Sequence, residues 1–159
     1  MNNGAASEIT AIILAGGRSR WFGRDKALEP IAGESMIRRV MRRAAEAVRA
    51  FEIVVVVSSL ERAAGLPLDP DHRIAAVSFP GRGPLGGIYT GLLAARTEWA
   101  LVVACDMPLL STPLLWHMSQ FRVGMDAVVT MVGGRPEPTH AFHSRRCLPA
   151  SRDAWTQEI

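Results

Sequence analysis

The amino-acid sequence predicts an α/β fold, a three-layer α/β/α sandwich whose central sheet is mostly parallel. Three observations point to it. The runs ITAIIL at 9–14, EIVVVVS at 52–58 and WALVVAC at 99–105 are apolar almost throughout, as strands covered on both faces must be. Segments of helical periodicity fall between them, so strand and helix alternate. Glycine-rich stretches sit at strand–helix junctions, where open α/β sheets place their ligands. A chain of 159 residues has the length of one domain, taken as 1–159.

The first strand, 9–14, is stopped by Gly16 and Gly17. Gly33-Glu34-Ser35 offers a helix start with Ser35 as N-cap; Met36, Ile37, Val40, Met41, Ala44, Ala45, Val48 and Phe51 then recur at helical spacing. Arginines 38, 39, 42, 43 and 49 fall mostly on the opposite face, which reads as solvated. The β-branched run 52–58 is the second strand. Residues 61–73, with Gly65, Pro67, Asp69, Pro70 and Asp71, read as loop, and 73–77 as a short third strand. The cluster Gly81-Arg82-Gly83-Pro84-Leu85-Gly86-Gly87 leads into a helix over 88–95.

The strand 99–105 delivers Asp106 at its carboxyl end, and Met107-Pro108 stops it there. Ser111-Thr112-Pro113 starts a helix over 114–121; 127–132 is a strand, 133–138 a hairpin-like loop, and 139–143 alternates as a strand. Asp126 precedes its strand, at the end of the sheet away from the site, and reads as a turn residue.

Composition narrows the function. Hydrophobic residues at 48% and charged residues at 21% suit an ordinary globular protein. A formal charge of +3 suits anionic substrates, yet the 10 aromatics are not interleaved with any basic run, so nucleic acid is not an expected partner. No apolar segment approaches the roughly 18 residues that span a bilayer, and MNNGAASEIT has neither a basic nor a hydrophobic leader region. A cytoplasmic protein is expected, and the two cysteines, Cys105 and Cys147, are expected to be reduced.

Gly16 and Gly17 permit positive φ and close backbone approach, so successive amides can face an anion, with Arg18, Arg20, Arg24 and Lys26 adding charge. The natural guest is a polyphosphate. Neither the P-loop spacing nor the three-glycine dinucleotide fingerprint occurs. Of the 18 basic residues Lys26 is the only lysine, and a compact ammonium on a flexible stem can follow a phosphate through bond-making better than a rigid guanidinium fork. Asp106, at a strand end, suits Mg²⁺, which takes oxygen ligands and is often held by one or two carboxylates plus substrate phosphates. His140, His143 and Cys147 do not read as a metal site: histidines at i and i+3 on a strand face opposite ways, and no fourth ligand has suitable spacing.

Leu14-Ala15-Gly16-Gly17-Arg18-Ser19, then Gly23, then Asp25-Lys26-Ala27-Leu28, resemble the signature loop of nucleotidyltransferases, and most of all that of the molybdenum cofactor guanylyltransferases. Gly83-Pro84-Leu85 followed by Gly86 is similar to the family's second motif, which lies against base and ribose, and Asp106-Met107-Pro108 to its metal-binding Asp-x-Pro segment. Pro138 to His143 with Cys147-Leu148-Pro149 resembles its acceptor-side segment, where His140 is a candidate acceptor contact or a satisfied structural histidine.

The resemblance runs from about residue 9 to 150 and implies a Rossmann-like nucleotidyltransferase fold. It implies transfer of GMP from GTP to the molybdopterin cofactor with release of pyrophosphate, Mg²⁺ as cofactor, and molybdoenzymes or their chaperones as downstream partners. Lys26 and Asp106 become the catalytic residues, Asp106 the metal ligand, and Leu14, Ala15, Gly16, Gly17, Arg18, Ser19, Lys26, Gly83, Pro84, Gly86 and Asp106 the nucleotide contacts.

The chain departs from that family in places. Trp21-Phe22-Gly23 stand where the family has Arg-Met-Gly, so one basic phosphate contact is missing or must come from Arg20; Ser58 and Ala75-Ala76-Val77 stand where it has an Asn and an Asp that contact the nucleoside. The C-terminal part is short beside family chains, so exposed apolar surface is expected there. Two other readings stay open: a CTP-dependent molybdopterin or sugar-phosphate nucleotidyltransferase of the same fold, and a non-catalytic nucleotide-binding or adaptor homologue.

Overall fold

The computed structural model describes residues 8–17 and 23–156. The chain begins with strand β1 (Ile9–Leu14), and after a single 3₁₀ turn at Lys26–Leu28 makes a small hairpin of β2 (Pro30–Ile31) and β3 (Glu34–Ser35). Helix α1 (Met36–Val48), strand β4 (Glu52–Val57), the short helix α2 (Leu60–Ala64) and strand β5 (Arg73–Ala76) follow. Helix α3 (Gly83–Ala94) leads to β6 (Trp99–Ala104), and α4 (Thr112–Ser119), β7 (Ala127–Val132), β8 (Arg135–Ser144) and α5 (Leu148–Thr156) complete the order. The six-stranded sheet runs β5-β4-β1-β6-β8-β7. Its first four strands are mutually parallel, β8 is antiparallel to β6, and β7 is antiparallel to β8.

The period-two alternation of the strands divides the core into two layers. Ile9, Ala11 and Ile13 of β1, with Leu101 and Val103 of β6, bury against Ile37, Val40 and Met41 of α1 and Leu115 and Met118 of α4. Ile12, between them in sequence, points the other way with Val54, Val56 and Val102 toward Ile88 and Leu92 of α3, with Leu148 of α5 at the edge. The sheet is thus covered on both faces, as the apolar runs predict. Among the described residues no helix is long and apolar enough to cross a membrane.

Several elements differ from expectation. Residues 61–73 are not all loop: Ser59 caps α2 by accepting from the Arg62 amide at 3.2 Å. Helix α3 starts at Gly83, five positions before the residue expected, so part of the second glycine cluster is helical. The helix at 36–48 ends where Arg49 turns left-handed with φ 48°, which carries Phe51 off the buried face and leaves it 52% exposed. Ser35 occupies the N-cap position without a side-chain bond, and its buried Oγ has no partner. Strand β8 starts already at Arg135, and α5 follows where only a turn was expected.

Glycines let α3 settle unusually close to the sheet. A Cβ at Gly91 would lie 2.5 Å from Ile12 Cγ2, and one at Gly87 would lie 3.2 Å from Leu14 Cδ2. Gly91→Ala is therefore expected to destabilise the fold by roughly 1–3 kcal/mol, because the clash outweighs alanine's better helix propensity. Urea unfolding checks this: the midpoint falls with the slope unchanged, whereas an equal or higher midpoint contradicts the close approach.

Candidate functional site

The chain leaves β1 toward β4 on one side and returns from β5 to β6 on the other, so the carboxyl ends of β1 and β6 flank a topological switch point. Two bonds tie this rim together. The Ala15 amide donates to Val56 O at 2.7 Å and the Cys105 amide to Leu14 O at 3.1 Å. Above it opens a cavity of about 830 Å³. Leu14, Gly16, Gly17, Lys26, Gly83, Pro84 and Asp106, all predicted, line it.

The remaining predicted residues divide. The Ala15 amide is used inside the sheet, so the amides left for an anion begin at Gly16. Gly86 does not line the cavity; a Cβ there would stand 2.9 Å from Phe79 O, so its role is close packing of α3. Gly17 is the converse case, since a Cβ there would meet nothing within 4 Å. Its bareness serves open space over the loop rather than a packed neighbour. Arg18 and Ser19, with Arg20, Trp21 and Phe22, lie outside the described residues.

Among the described residues four charges line the cavity, and they fall into two kinds. Asp25 and Arg62 hold one another: Arg62 Nη2 donates to Asp25 Oδ1 at 3.0 Å, Nη1 donates to Oδ2, and Nε reaches Ala15 O at 3.1 Å. Asp25 Oδ1 also accepts from the Ala27 amide at 3.0 Å, which caps the turn that carries Lys26. The Arg62 hydrogen bond holds the Asp25 carboxyl below the usual carboxylate range, against the opposing effect of burial. Lys26 and Asp106, by contrast, are exposed, and neither side chain has a hydrogen-bond or ion-pair partner among the described residues. Arg62 was not foreseen, because the segment that carries it reads as loop.

The arginine run of α1 also reads differently in three dimensions. Arg38 and Arg42 face solvent and pair with Asp69 and Glu34. Arg39 and Arg43 do not: their Nε atoms donate to Pro108 O at 3.0 Å and Leu110 O at 2.7 Å. They fasten the segment after Asp106 to the helix. Helical spacing alone separates these two kinds of arginine poorly, since both lie off the apolar stripe.

At the acceptor side the structure puts Thr139, not His140, on the cavity wall. His140 is 8% exposed, with Nδ1 2.6 Å from Thr130 Oγ1, and His143 Nε2 donates to Pro138 O at 3.0 Å. Burial lowers the basicity of both rings, so they are satisfied structural histidines. Asp126 pairs with Arg146 at 3.2 Å, away from the cavity, as its position before a strand predicts. Asp69, Asp71 and His72 bring ligand atoms within 4.8 Å of one another on the loop before β5, also outside the cavity.

The family model described as a MobA-like NTP transferase domain matches residues 11–158. The chain belongs to this family. It is therefore a nucleotidyltransferase by descent. It is 37% identical over 147 residues to a probable molybdenum cofactor guanylyltransferase of Pelotomaculum thermopropionicum, covering 92% of this chain and 69% of that one. It is 38% identical over 148 residues to the molybdenum cofactor guanylyltransferase of Pseudomonas entomophila, covering 91% and 74%. Among solved structures, molybdopterin-guanine dinucleotide biosynthesis protein A of Archaeoglobus fulgidus superposes with a TM-score of 0.75 at 24% identity, over 95% of this chain and 75% of that one, and so shares the fold.

In this MobA-like domain one further group lines the cavity beside Asp106, the thiol of Cys105. Burial first, then the Asp106 charge, pushes it up to about 11. The thiol is therefore held in its protonated, weakly reactive form at neutral pH. In a Cys147→Ser variant, the rate of alkylation by iodoacetamide should rise about tenfold per pH unit through pH 10. A plateau before pH 9 would contradict the assignment.

Proposed function

We propose that the protein transfers the guanylyl group of GTP to the terminal phosphate of the molybdopterin cofactor in the cytoplasm, releasing pyrophosphate. One observation carries the proposal: the Lys26 ammonium and the Asp106 carboxylate, both without a partner among the described residues and delivered by loops from different strands, share a cavity with Gly16 and the bare Gly17. The choice of guanine and molybdopterin rests on the relatives named molybdenum cofactor guanylyltransferase.

An acceptor phosphate oxygen forms a bond to the α-phosphorus while the bond from that phosphorus to the bridging oxygen breaks, its electron pair leaving on pyrophosphate. The acceptor oxygen is already anionic, so positioning and charge stabilisation suffice and no general base is required. The amides of Gly16 and Gly17 are placed to meet the leaving phosphates, and Lys26 offsets the charge that builds as the bond breaks. Phe79, set edge-on to Tyr89 with ring centroids 5.6 Å apart, offers the cavity an apolar surface suited to a base.

Asp106 fits a hard cation: it is an exposed oxygen donor on the cavity wall, whereas the neighbouring Asp25 is occupied by Arg62. When bound there, Mg²⁺ supplies positive charge to phosphate oxygens.

Pyrophosphate release with molybdopterin, Mg²⁺ and each of four NTPs tests the reading. GTP should be preferred, and Lys26→Ala or Asp106→Ala should lower kcat by roughly a hundredfold or more with the fold intact by circular dichroism. A preference for CTP would remove the guanine assignment. Unchanged turnover in both variants would leave a non-catalytic binding role.

A further inference from the structure

We propose that Arg62 is a phosphate-binding residue of this cavity, its guanidinium aimed by Asp25 so that the outer N–H groups meet the polyphosphate. This rests on the nucleotidyl-transfer reading and adds a contact that neither of the family-like loops supplies.

A planar guanidinium has five N–H donors. Three of them are used, one by Ala15 O and two by the Asp25 carboxylate, and among the described residues the other two have no partner. Bidentate pairing uses the fork between the terminal nitrogens and leaves one N–H on each, at opposite edges of the guanidinium plane, each able to meet one phosphate oxygen. Asp25 meanwhile spends three of its lone-pair sites on Arg62 and the Ala27 amide. Among the described residues the pair thus keeps two donors against about one acceptor site.

Charge points the same way. Among the described lining residues Lys26 and Arg62 are cationic and Asp25 and Asp106 anionic, so without Arg62 the described part of the wall would carry net negative charge. Like charges in a half-enclosed cavity are costly. The α2 helix thus brings a cation to a site whose own loop has Trp21-Phe22 at the place of a basic phosphate contact. Cys105 lines the same cavity as Arg62, Asp25 and Asp106.

Calorimetric titration of the full chain with inorganic tripolyphosphate and with guanosine, for Arg62→Met and Arg62→Gln, tests the assignment. Tripolyphosphate affinity should fall roughly tenfold or more in both variants while guanosine affinity holds. A merely supporting role would lower the two affinities alike, or only the melting temperature, and either result overturns the proposal. So does unchanged tripolyphosphate affinity in whichever variant folds. If the unaltered chain binds neither GTP nor tripolyphosphate, the nucleotidyl-transfer reading falls first and this proposal with it.

Discussion

The parallel pairing of β1 with β6 is the constraint on which the site depends. Its register sets Leu14 opposite Ala104, so the residues that follow, Gly16-Gly17 on one strand and Cys105-Asp106 on the other, emerge side by side at one rim. A parallel ladder does this by necessity: both carboxyl ends point the same way, and the crossover segments lie on the faces. Slipping the register by one residue would send Ile12 and Ile13 to the wrong layers, so the same apolar alternation that builds the core also places the cavity.

Around that rim, neighbouring helices secure the loops. Arg39 and Arg43 bind the carbonyls of Pro108 and Leu110, and Arg62 binds the carbonyl of Ala15, so three arginines from two helices replace hydrogen bonds that irregular backbone would otherwise seek from water. Each uses its Nε, the donor nearest the stem, and Arg62 still has its fork for Asp25. This accounts for arginine in roles where lysine, a point charge without a fixed fork, would hold the backbone less firmly.

Much of this was legible in the sequence because burial leaves a strong imprint. Strands covered on both faces must be apolar throughout, so 9–14, 52–57 and 99–104 stand out without any structure. Glycine clusters mark turns, but their purpose depends on what lies opposite. Gly17 faces open space while Gly86 faces Phe79 O, a difference set by a partner distant in sequence. Arg62 was invisible for the same reason: its significance comes from Asp25, 37 positions away, and from a helix of five residues too short to show periodicity. The exchange of His140 for Thr139 on the cavity wall likewise depends on the irregular pairing between Val129 and Thr130, which no alternation pattern announces.

The two ends of the sheet show why one of them is the working end. At the amino ends Glu52 is buried among polar neighbours, yet it accepts from Thr10 Oγ1 at 2.9 Å, from the Arg96 amide at 2.7 Å and from Arg73 at 3.2 Å. Burial disfavours its charge, and those donors more than compensate, leaving the carboxyl below its ordinary range. At the carboxyl ends Asp25 and Arg62 follow the same rule, but Lys26 and Asp106 do not. A fold stabilised by pairing would gain from partnering those two as well. Charges of opposite sign kept apart in one enclosure are an arrangement that favours a guest carrying both an anionic oxygen for Lys26 and a cation for Asp106. A metal-bound polyphosphate has that chemistry.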